Sequence, residues 1–303
     1  ATAPATAPAE APAPSGDRKF SSPVARKMAA EHGVDIGAIA GSGPGGRVVK
    51  RDVAAAVAAP PAKASTAPVA SGDAGERINL TPMRKAIARR MTESWTTAPL
   101  FALQMEIDME PAMALRKQLN ASLAAADAGL KISVNDMIIK ACGVALREVP
   151  TMNVGWGGDH IVQFDGVHIG VAVAIDGGLI TPVVRDADTL TLGAITRGVR
   201  DLAARARAKK LAPHEYTGST FSISNLGMYG ISSFQAVLNP PEAGILAVGA
   251  VQQRPVVKDG AIAVGTRMDV TLSVDHRSAD GAVGSVFLQA LKRLLENPVL
   301  LTV

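Results

Sequence analysis

The chain has 303 residues, of which 48% are hydrophobic, 3% aromatic and 19% charged, and its formal net charge is +4. This length is enough for one or two globular domains. A charge this small, with basic residues interleaved with acids and no aromatic-rich basic stretch, argues against nucleic-acid binding. The single cysteine, Cys142, excludes an internal disulfide and a cysteine-built zinc site, and it suits a reducing compartment. The sequence has no run of about 18 uncharged apolar residues, so it predicts no membrane span.

Two tracts rich in alanine and proline predict linkers at residues 1–20 and 59–76. The first 14 residues contain seven Ala and four Pro, a composition that cannot bury a core and that favours an extended chain. They also lack the cationic and apolar regions of a secretory signal, and we expect them to be an internal linker of a longer protein. Two such tethers indicate domains that swing relative to each other, although the composition fits an ordinary disordered spacer equally well.

Between the linkers, residues 21–58 predict a small helical unit. Ser22 is a good N-cap residue and Pro23 suits the first helical position, so a short helix follows and ends near Gly33. A second helix is predicted from Val48 onwards, after the glycine-rich stretch GSGPGG. That stretch lacks the GK[ST] ending of a phosphate-binding loop and follows no long strand, which disfavours a nucleotide-binding role. A unit of roughly 36 residues is exceptionally small for an independent domain.

The segment from residue 77 to residue 303 predicts a larger domain of mixed helices and strands. Apolar residues recur at helical spacing in four stretches: 83–95, 131–149, 192–206 and 286–295. Apolar or alternating runs predict strands at 100–109, 166–175, 220–224, 244–251 and 270–275. Because the helices and strands do not alternate strictly, the order favours an α/β sandwich built on a mixed sheet.

The stretch SVDHRSADG places His276 at the end of a predicted strand, in a turn closed by Gly281. A rigid strand end is a common position for a reactive side chain, and an imidazole can take a proton from a thiol or hydroxyl near neutral pH. Zinc would need about three convergent protein ligands, so a metal site at His276 and Asp280 is disfavoured. From spacing alone, Asp280 could hold the turn or a neighbouring cation. The other histidines stand in less distinctive contexts: His32, His160, His168 and His214.

A second candidate lies in TFSISNLGMYG, residues 220–230. A predicted strand with Phe221 and Ile223 pointing inward stops at Ser224 and Asn225, and two glycines and no charge follow. A hydroxyl at such a strand end could donate a hydrogen bond to an oxyanion. A plain turn built on Ser and Asn is the alternative, and the residues alone favour it.

Together, DHRSADG and SNLGMYG resemble the dihydrolipoamide acyltransferase components of 2-oxo acid dehydrogenase complexes. The stretches KISVND, GLITPVV and NPPEAGILAVGA precede the DHRxxDG signature in the order found in that family. Residues 21–55 resemble its peripheral subunit-binding domain, and residues 77–303 resemble its catalytic domain. The Ala/Pro tracts are similar to the family's tethers between lipoyl, binding and catalytic domains.

The resemblance implies a chloramphenicol-acetyltransferase-like fold and a homotrimer with each active site between two subunits. His276 would then be the general base that deprotonates the thiol of coenzyme A or of dihydrolipoamide, with no acyl-enzyme. Ser224 matches the family position that hydrogen-bonds the tetrahedral oxyanion. Asp280 matches the acid that supports the site through an arginine, and Arg90 is the predicted partner. The substrate groups implied are a lipoyl group on a domain absent from this chain and coenzyme A, without a metal.

The implied function is acetyl transfer between a dihydrolipoyl thiol and coenzyme A, as the structural core of a pyruvate dehydrogenase complex. SNLGMYG and NPPEAGILAVGA look most like the acetyl-transferring members. Branched-chain, succinyl and acetoin-complex acyltransferases stay open as alternatives, as does a non-catalytic scaffold subunit. A free-standing acyltransferase that acts on another small acceptor is a further alternative. No lipoyl domain is recognised, and we expect the full protein to carry one or more.

The resemblance also implies partners for both domains. Arg26 and Arg47 match family arginines that contact dihydrolipoamide dehydrogenase or the 2-oxo acid decarboxylase component. Family trimers build cores of 24 or 60 chains, and the apolar end NPVLLTV is predicted to pack on a neighbouring trimer or on its own subunit. Neither nucleic acid nor a membrane is an expected partner. The expected compartment is the bacterial cytoplasm, or the mitochondrial matrix for a eukaryotic protein.

Overall fold

The structure, a computed structural model, describes residues 20–58 and 78–303. The chain forms two compact units that divide between Arg77 and Ile78, and each is described by itself. Apart from Phe20, the predicted linkers at 1–20 and 59–76 lie outside the described residues.

The small unit contains two helices, α1 (Pro23–Glu31) and α2 (Lys50–Ala58), separated by two short 3-10 turns. Helix α1 begins as predicted, because the hydroxyl of Ser22 accepts a hydrogen bond from the backbone N–H of Ala25 at 3.2 Å. The chain leaves α1 through Gly33, whose φ of +64° suits a residue without a side chain. The core of the unit consists of small side chains: Ala25, Ala29, Ile39, Val48 and Val53.

One carboxylate, that of Asp52 in the first turn of α2, holds the glycine-rich loop. It accepts hydrogen bonds from the backbone N–H groups of Ser42 (2.9 Å) and Val49 (3.0 Å) and from the Ser42 hydroxyl. These bonds, the one from the hydroxyl most of all, lower the pKa of Asp52 to about 2. A side chain at Gly41 would collide with the backbone of Gly46, so the loop closes on itself and leaves no open cradle for a phosphate.

The large unit comprises five helices and eleven strands in its described range, 78–303. The helices are α3 (Pro82–Thr97), α4 (Glu110–Ala125), α5 (Val134–Glu148), α6 (Leu192–Arg207) and α7 (Gly281–Glu296). The first strands are β1 (Leu100–Asp108), β2 (Val154–Trp156), β3 (Ile161–Gln163), β4 (Ile169–Val171), β5 (Val173–Ile175) and β6 (Gly178–Ile180). The remaining strands are β7 (Val183–Val184), β8 (Phe221–Asn225), β9 (Gly244–Val248), β10 (Gln252–Lys258) and β11 (Ala261–Asp275).

The central sheet is mixed, as predicted. Its strand order is β1-β11-β9-β8-β4-β7, and β10 pairs with the early part of β11. Strand β8 runs parallel to both of its neighbours, while the other pairs are antiparallel. The predicted strand 166–175 divides in two, because β4 stays in the central sheet whereas β5 pairs with β6. Helix α4 and strand β10 were not predicted, since neither carries a strong apolar period.

The main core lies between the sheet and the helices α5 and α7, which pack on each other. The fully buried rings of Phe221 on β8 and Phe287 on α7 meet with their centroids 5.2 Å apart. Each buried ring contributes roughly 2–3 kcal/mol relative to an exposed one. This packing makes the ends of β8 and β11 rigid supports for the side chains that follow them.

Candidate active site

His276 follows the last residue of β11 and presents an exposed side chain. Its backbone N–H donates to the carbonyl oxygen of Pro99 at 3.1 Å, which ties the turn to the start of β1. Its imidazole ring packs against the ring of Phe101 with centroids 4.5 Å apart. The imidazole is therefore held on one side and open to solvent on the other, as a general base must be to reach its substrate.

The residues on either side of His276, Asp275 and Arg277, form an ion pair that shapes this turn. The buried carboxylate of Asp275 accepts hydrogen bonds from the backbone N–H of Arg277 (3.0 Å) and from its guanidinium (2.7 Å). The guanidinium also lies over the ring of Trp156, 4.9 Å from its centroid. The hydrogen bonds to Asp275 raise the pKa of Arg277. Neither Asp275 nor Arg277 was predicted as a site residue, although DHR places both charges beside the histidine.

Asp280 caps helix α7. Its carboxylate accepts a hydrogen bond from the backbone N–H of Val283 at 2.9 Å, which fixes where the turn ends. Within the described part of one chain Asp280 forms no ion pair. Arg90, its predicted partner, instead lines a cavity that Glu242 also lines. The observed support that Asp280 gives the turn is thus a helix cap.

Ser224 is the penultimate residue of β8 and is half-buried. The residue after it anchors the following loop: the side-chain amide of Asn225 donates to Asn135 at the start of α5 (3.1 Å) and accepts from the backbone N–H of Gly227 (2.9 Å). Beyond this anchor, Met228 and Tyr229 are 82% and 66% exposed. Ser224, fixed at the end of β8, therefore borders an exposed apolar patch.

Ser224 also lines a cavity of about 1020 Å³. Apolar side chains of α3 and β6 form part of its wall, among them Met83, Ile87 and Leu179. Other lining groups are polar, including Ser222 and the buried carboxylate of Glu242. A volume of this size accommodates a ligand of substrate size.

Within one chain, His276 and Ser224 lie far apart. Thr271 on β11 pairs with Ala247 on β9, and Ala247 pairs with Ser224. His276 stands further along β11 and two strands away, so the Cα atoms of His276 and Ser224 are separated by roughly 19 Å at about 3.3 Å per residue and 4.8 Å per strand. A single chain therefore does not bring these two side chains to one reacting atom.

The remaining candidates lie elsewhere. In the small unit, Arg26 and Arg47 are exposed, and Arg26 donates to the Ser21 hydroxyl at 3.2 Å. His168 lies at the cavity, where its Nδ1 accepts from the backbone N–H of Asp186 at 3.2 Å. In residues 20–58 and 78–303, no three His, Cys, Asp or Glu side chains converge as metal ligands. No helix within these ranges is both long and apolar enough to cross a membrane.

Two family models match the chain. The 2-oxoacid dehydrogenases acyltransferase (catalytic domain) matches residues 72–303, and the e3 binding domain matches residues 19–54. Among curated relatives, the dihydrolipoyllysine-residue acetyltransferase component of the pyruvate dehydrogenase complex of Rhizobium meliloti is 47% identical over 94% of this chain and 68% of its own length. Its mitochondrial counterpart in Schizosaccharomyces pombe is 45% identical over 94% of this chain and 62% of its own length. The chain thus spans about two thirds of the length of these relatives.

Solved structures of acyltransferases from the same family also match the chain. The dihydrolipoamide acetyltransferase of Azotobacter vinelandii, studied for the roles of a serine, a histidine and an asparagine in its mechanism, is 30% identical, has a TM-score of 0.73, and covers 78% of this chain and 99% of its own. A chain from the cubic core of the pyruvate dehydrogenase multienzyme complex gives the same values. Fold and site define an acyltransferase domain of the mixed-sheet sandwich type, joined to a small subunit-binding domain. The chain belongs to the family of 2-oxoacid dehydrogenase acyltransferases, which confirms the predicted family and fold class.

Proposed function

We propose that this chain transfers an acetyl group between the dihydrolipoyl thiol of a lipoyl domain and coenzyme A, as part of a pyruvate dehydrogenase complex. The observation that carries the proposal is the open imidazole of His276, held by Phe101 and by the Asp275–Arg277 pair, in a chain of this family. The relatives' names support acetyl as the acyl group.

In this mechanism His276 removes the proton of the attacking thiol. The thiolate adds to the carbonyl carbon of the thioester, and the Ser224 hydroxyl donates to the resulting oxyanion. The carbon–sulfur bond to the first carrier then breaks, and the proton on His276 passes to the departing thiolate. The acetyl group moves directly from sulfur to sulfur, and no bond to the protein forms.

The active site in this proposal lies between two copies of the chain in a homotrimer. Two observations support it: the roughly 19 Å between the Cα atoms of His276 and Ser224, and the exposed apolar residues Met228 and Tyr229 next to Ser224. Similarity to the cubic-core chain supports assembly of the trimers into a larger core of 24 or 60 chains. Sedimentation of the purified chain distinguishes a single trimer from either core.

Acetyl transfer from acetyl-CoA to dihydrolipoamide tests the mechanism. We expect His276→Ala to lower kcat about 10²- to 10⁴-fold and Ser224→Ala about 10²- to 10³-fold. His160→Ala, which removes an exposed histidine outside the site, is the matched control and should keep full activity. Full activity of His276→Ala would exclude this mechanism.

Mixed assembly tests the shared site. When the His276→Ala and Ser224→Ala chains are unfolded together and refolded, some interfaces combine an intact Ser224 with an intact His276. Activity should then return to a fraction of the wild-type value, whereas each variant refolded alone keeps only its lowered activity. No recovery, with trimers that contain both variants present, would show that each site lies within one chain.

The small unit is proposed to bind dihydrolipoamide dehydrogenase or the decarboxylase component through Arg26 and Arg47. Both side chains are exposed and available to an acidic surface, and the match to the e3 binding domain supports the first partner. Replacing both by alanine should weaken binding of dihydrolipoamide dehydrogenase at least about tenfold and reduce its dependence on salt. Replacing Arg200 and Arg207 together by alanine, the same loss of two charges at exposed sites in the large unit, should leave binding unchanged.

A further inference from the structure

Glu242 is an almost fully buried acid in the wall of the cavity that Ser224 also lines. Glu242 is only 2% exposed and lies just before β9. One carboxylate oxygen, Oε1, accepts hydrogen bonds from the Ser219 hydroxyl and from the side-chain amide of Asn239 at 3.0 Å. The acid is thus held in one orientation from two sides.

The second oxygen, Oε2, has no hydrogen-bond partner among the described residues. The Ser222 hydroxyl faces this carboxylate and lowers its pKa, yet it forms no hydrogen bond of regular geometry. A buried carboxylate oxygen without a donor is costly. Burial raises the pKa of Glu242 above its usual value, although the bonds from Ser219 and Asn239 and the charge of Arg90 oppose this rise. A ligand that brings an N–H donor into the cavity would satisfy Oε2.

The distance from Glu242 to Ser224 suits a substrate arm. Ser222, whose hydroxyl faces the Glu242 carboxylate, precedes Ser224 by two residues on the same face of β8, which places the Cα atoms of the two serines roughly 7 Å apart. Both thiol substrates of the proposed reaction carry an amide beyond a run of methylene groups: the lipoyl amide, and the outer amide of pantetheine. With the reacting carbonyl at Ser224, such an amide lies deep in the cavity, between apolar walls that fit the methylenes.

We propose that Glu242 binds the substrate arm by accepting a hydrogen bond, through Oε2, from its amide N–H. This inference rests on the proposed function and adds a specificity-determining residue to it. Glu242 has no part in the proton transfer and acts as a polar anchor behind the reacting atoms. It discriminates against an arm that ends in a carboxylate, because two like charges would then face each other in a site of low dielectric.

Glu242→Gln tests this role with almost no change of shape. The glutamine oxygen can still accept from Ser219 and Asn239, but its NH₂ group occupies the position of Oε2 and opposes an incoming N–H. The assay is acetyl transfer, with KM measured for acetyl-CoA, for dihydrolipoamide and for dihydrolipoate, which lacks the amide. Glu31→Gln, the same change on the exposed surface of α1, is the matched control.

We expect the KM for one amide-bearing substrate to rise about tenfold in Glu242→Gln, as for the loss of a hydrogen bond to a charged group, while kcat changes little. A rise confined to dihydrolipoamide, with the preference over dihydrolipoate reduced, assigns the lipoyl amide. A rise confined to acetyl-CoA assigns the pantetheine amide. Unchanged values of KM in an active variant overturn the inference and leave the proposed function intact, whereas a wild-type chain without transfer activity refutes the proposed function itself.

The pH dependence separates binding from a merely structural role. As the pH falls through the raised pKa of Glu242, Oε2 gains a proton and stops accepting, so the wild-type KM should rise at acidic pH. The other titratable side chains that line the cavity are Arg90, Asp165, His168, Lys209 and Tyr216. All of them remain in Glu242→Gln, so the difference between the two profiles reports Glu242. Parallel profiles of KM with a lower kcat would overturn the proposed role.

Discussion

Arg277 donates to both carboxylate oxygens of Asp275, at 2.7 Å and 3.0 Å, and the two residues flank His276 in the chain. The guanidinium is held in turn by the ring of Trp156. The backbone of the histidine is therefore fixed from both sides, and its side chain needs only the contact with Phe101 to keep its orientation. The rigidity of the proposed base thus depends on residues that do no chemistry.

Arg277→Ala should lower both stability and activity. It leaves the buried carboxylate of Asp275 without its cation, which costs about 3 kcal/mol, and it frees the turn that presents His276. We expect kcat to fall at least about tenfold, measured in the acetyl-transfer assay beside thermal unfolding. Arg293→Ala, which breaks an exposed ion pair with Glu148, should cost less than about 1 kcal/mol. Equal losses in the two variants would contradict this account.

Asp280→Ala and Asp280→Asn should differ. Alanine removes the cap of α7 and lowers the free energy of unfolding by about 1 kcal/mol, whereas asparagine caps nearly as well as aspartate. Because asparagine keeps both the cap and the shape of the side chain, we expect Asp280→Asn to retain kcat within a few fold. Denaturant unfolding and the acetyl-transfer assay check both points. A loss of activity in Asp280→Asn as large as that of His276→Ala would require a charge at this position.

Asn225→Ala should displace the loop that follows Ser224. It removes the hydrogen bonds to Asn135 and to the backbone of Gly227, so the proposed oxyanion donor loses its support, and kcat should fall about tenfold. Asn135→Ala should have a smaller effect, and the double variant should resemble Asn225→Ala, since the two residues act through one bond. Additive losses of activity would show that they act independently.

The small unit should lose stability in acid through Asp52. The folded-state pKa of Asp52 is lowered to about 2 from 3.8, so its contribution is fully present above pH 3.8 and is lost as the pH falls towards 2. Asp52→Asn should remove this dependence and loosen the glycine-rich loop at neutral pH. NMR signals of Val48 and Val53, both buried in the unit, report its folding within the full chain. An acid transition that persists unchanged in Asp52→Asn would contradict the prediction.

The elements that sequence patterns predicted best are those with one strongly apolar face. Helices α5 and α7 carry such a face, and both occur close to the predicted ranges. Helix α4 was missed because its apolar period is weak, and its packing comes from contacts with α7 and α5. The strand predicted at 166–175 was only partly right, because a continuous apolar run does not reveal that its second half pairs with β6.

By itself, the sequence determined the family, the mixed sheet and the positions of His276 and Ser224 at strand ends, since short motifs and apolar periods are local properties of the chain. The tertiary structure decided what surrounds these residues. Strand register sets the distance between His276 and Ser224, and packing places Arg277 on Trp156 and brings Arg90 and Glu242 into the wall of one cavity. These contacts join residues distant in sequence, so no local pattern encodes them, and only the folded sheet brings them together.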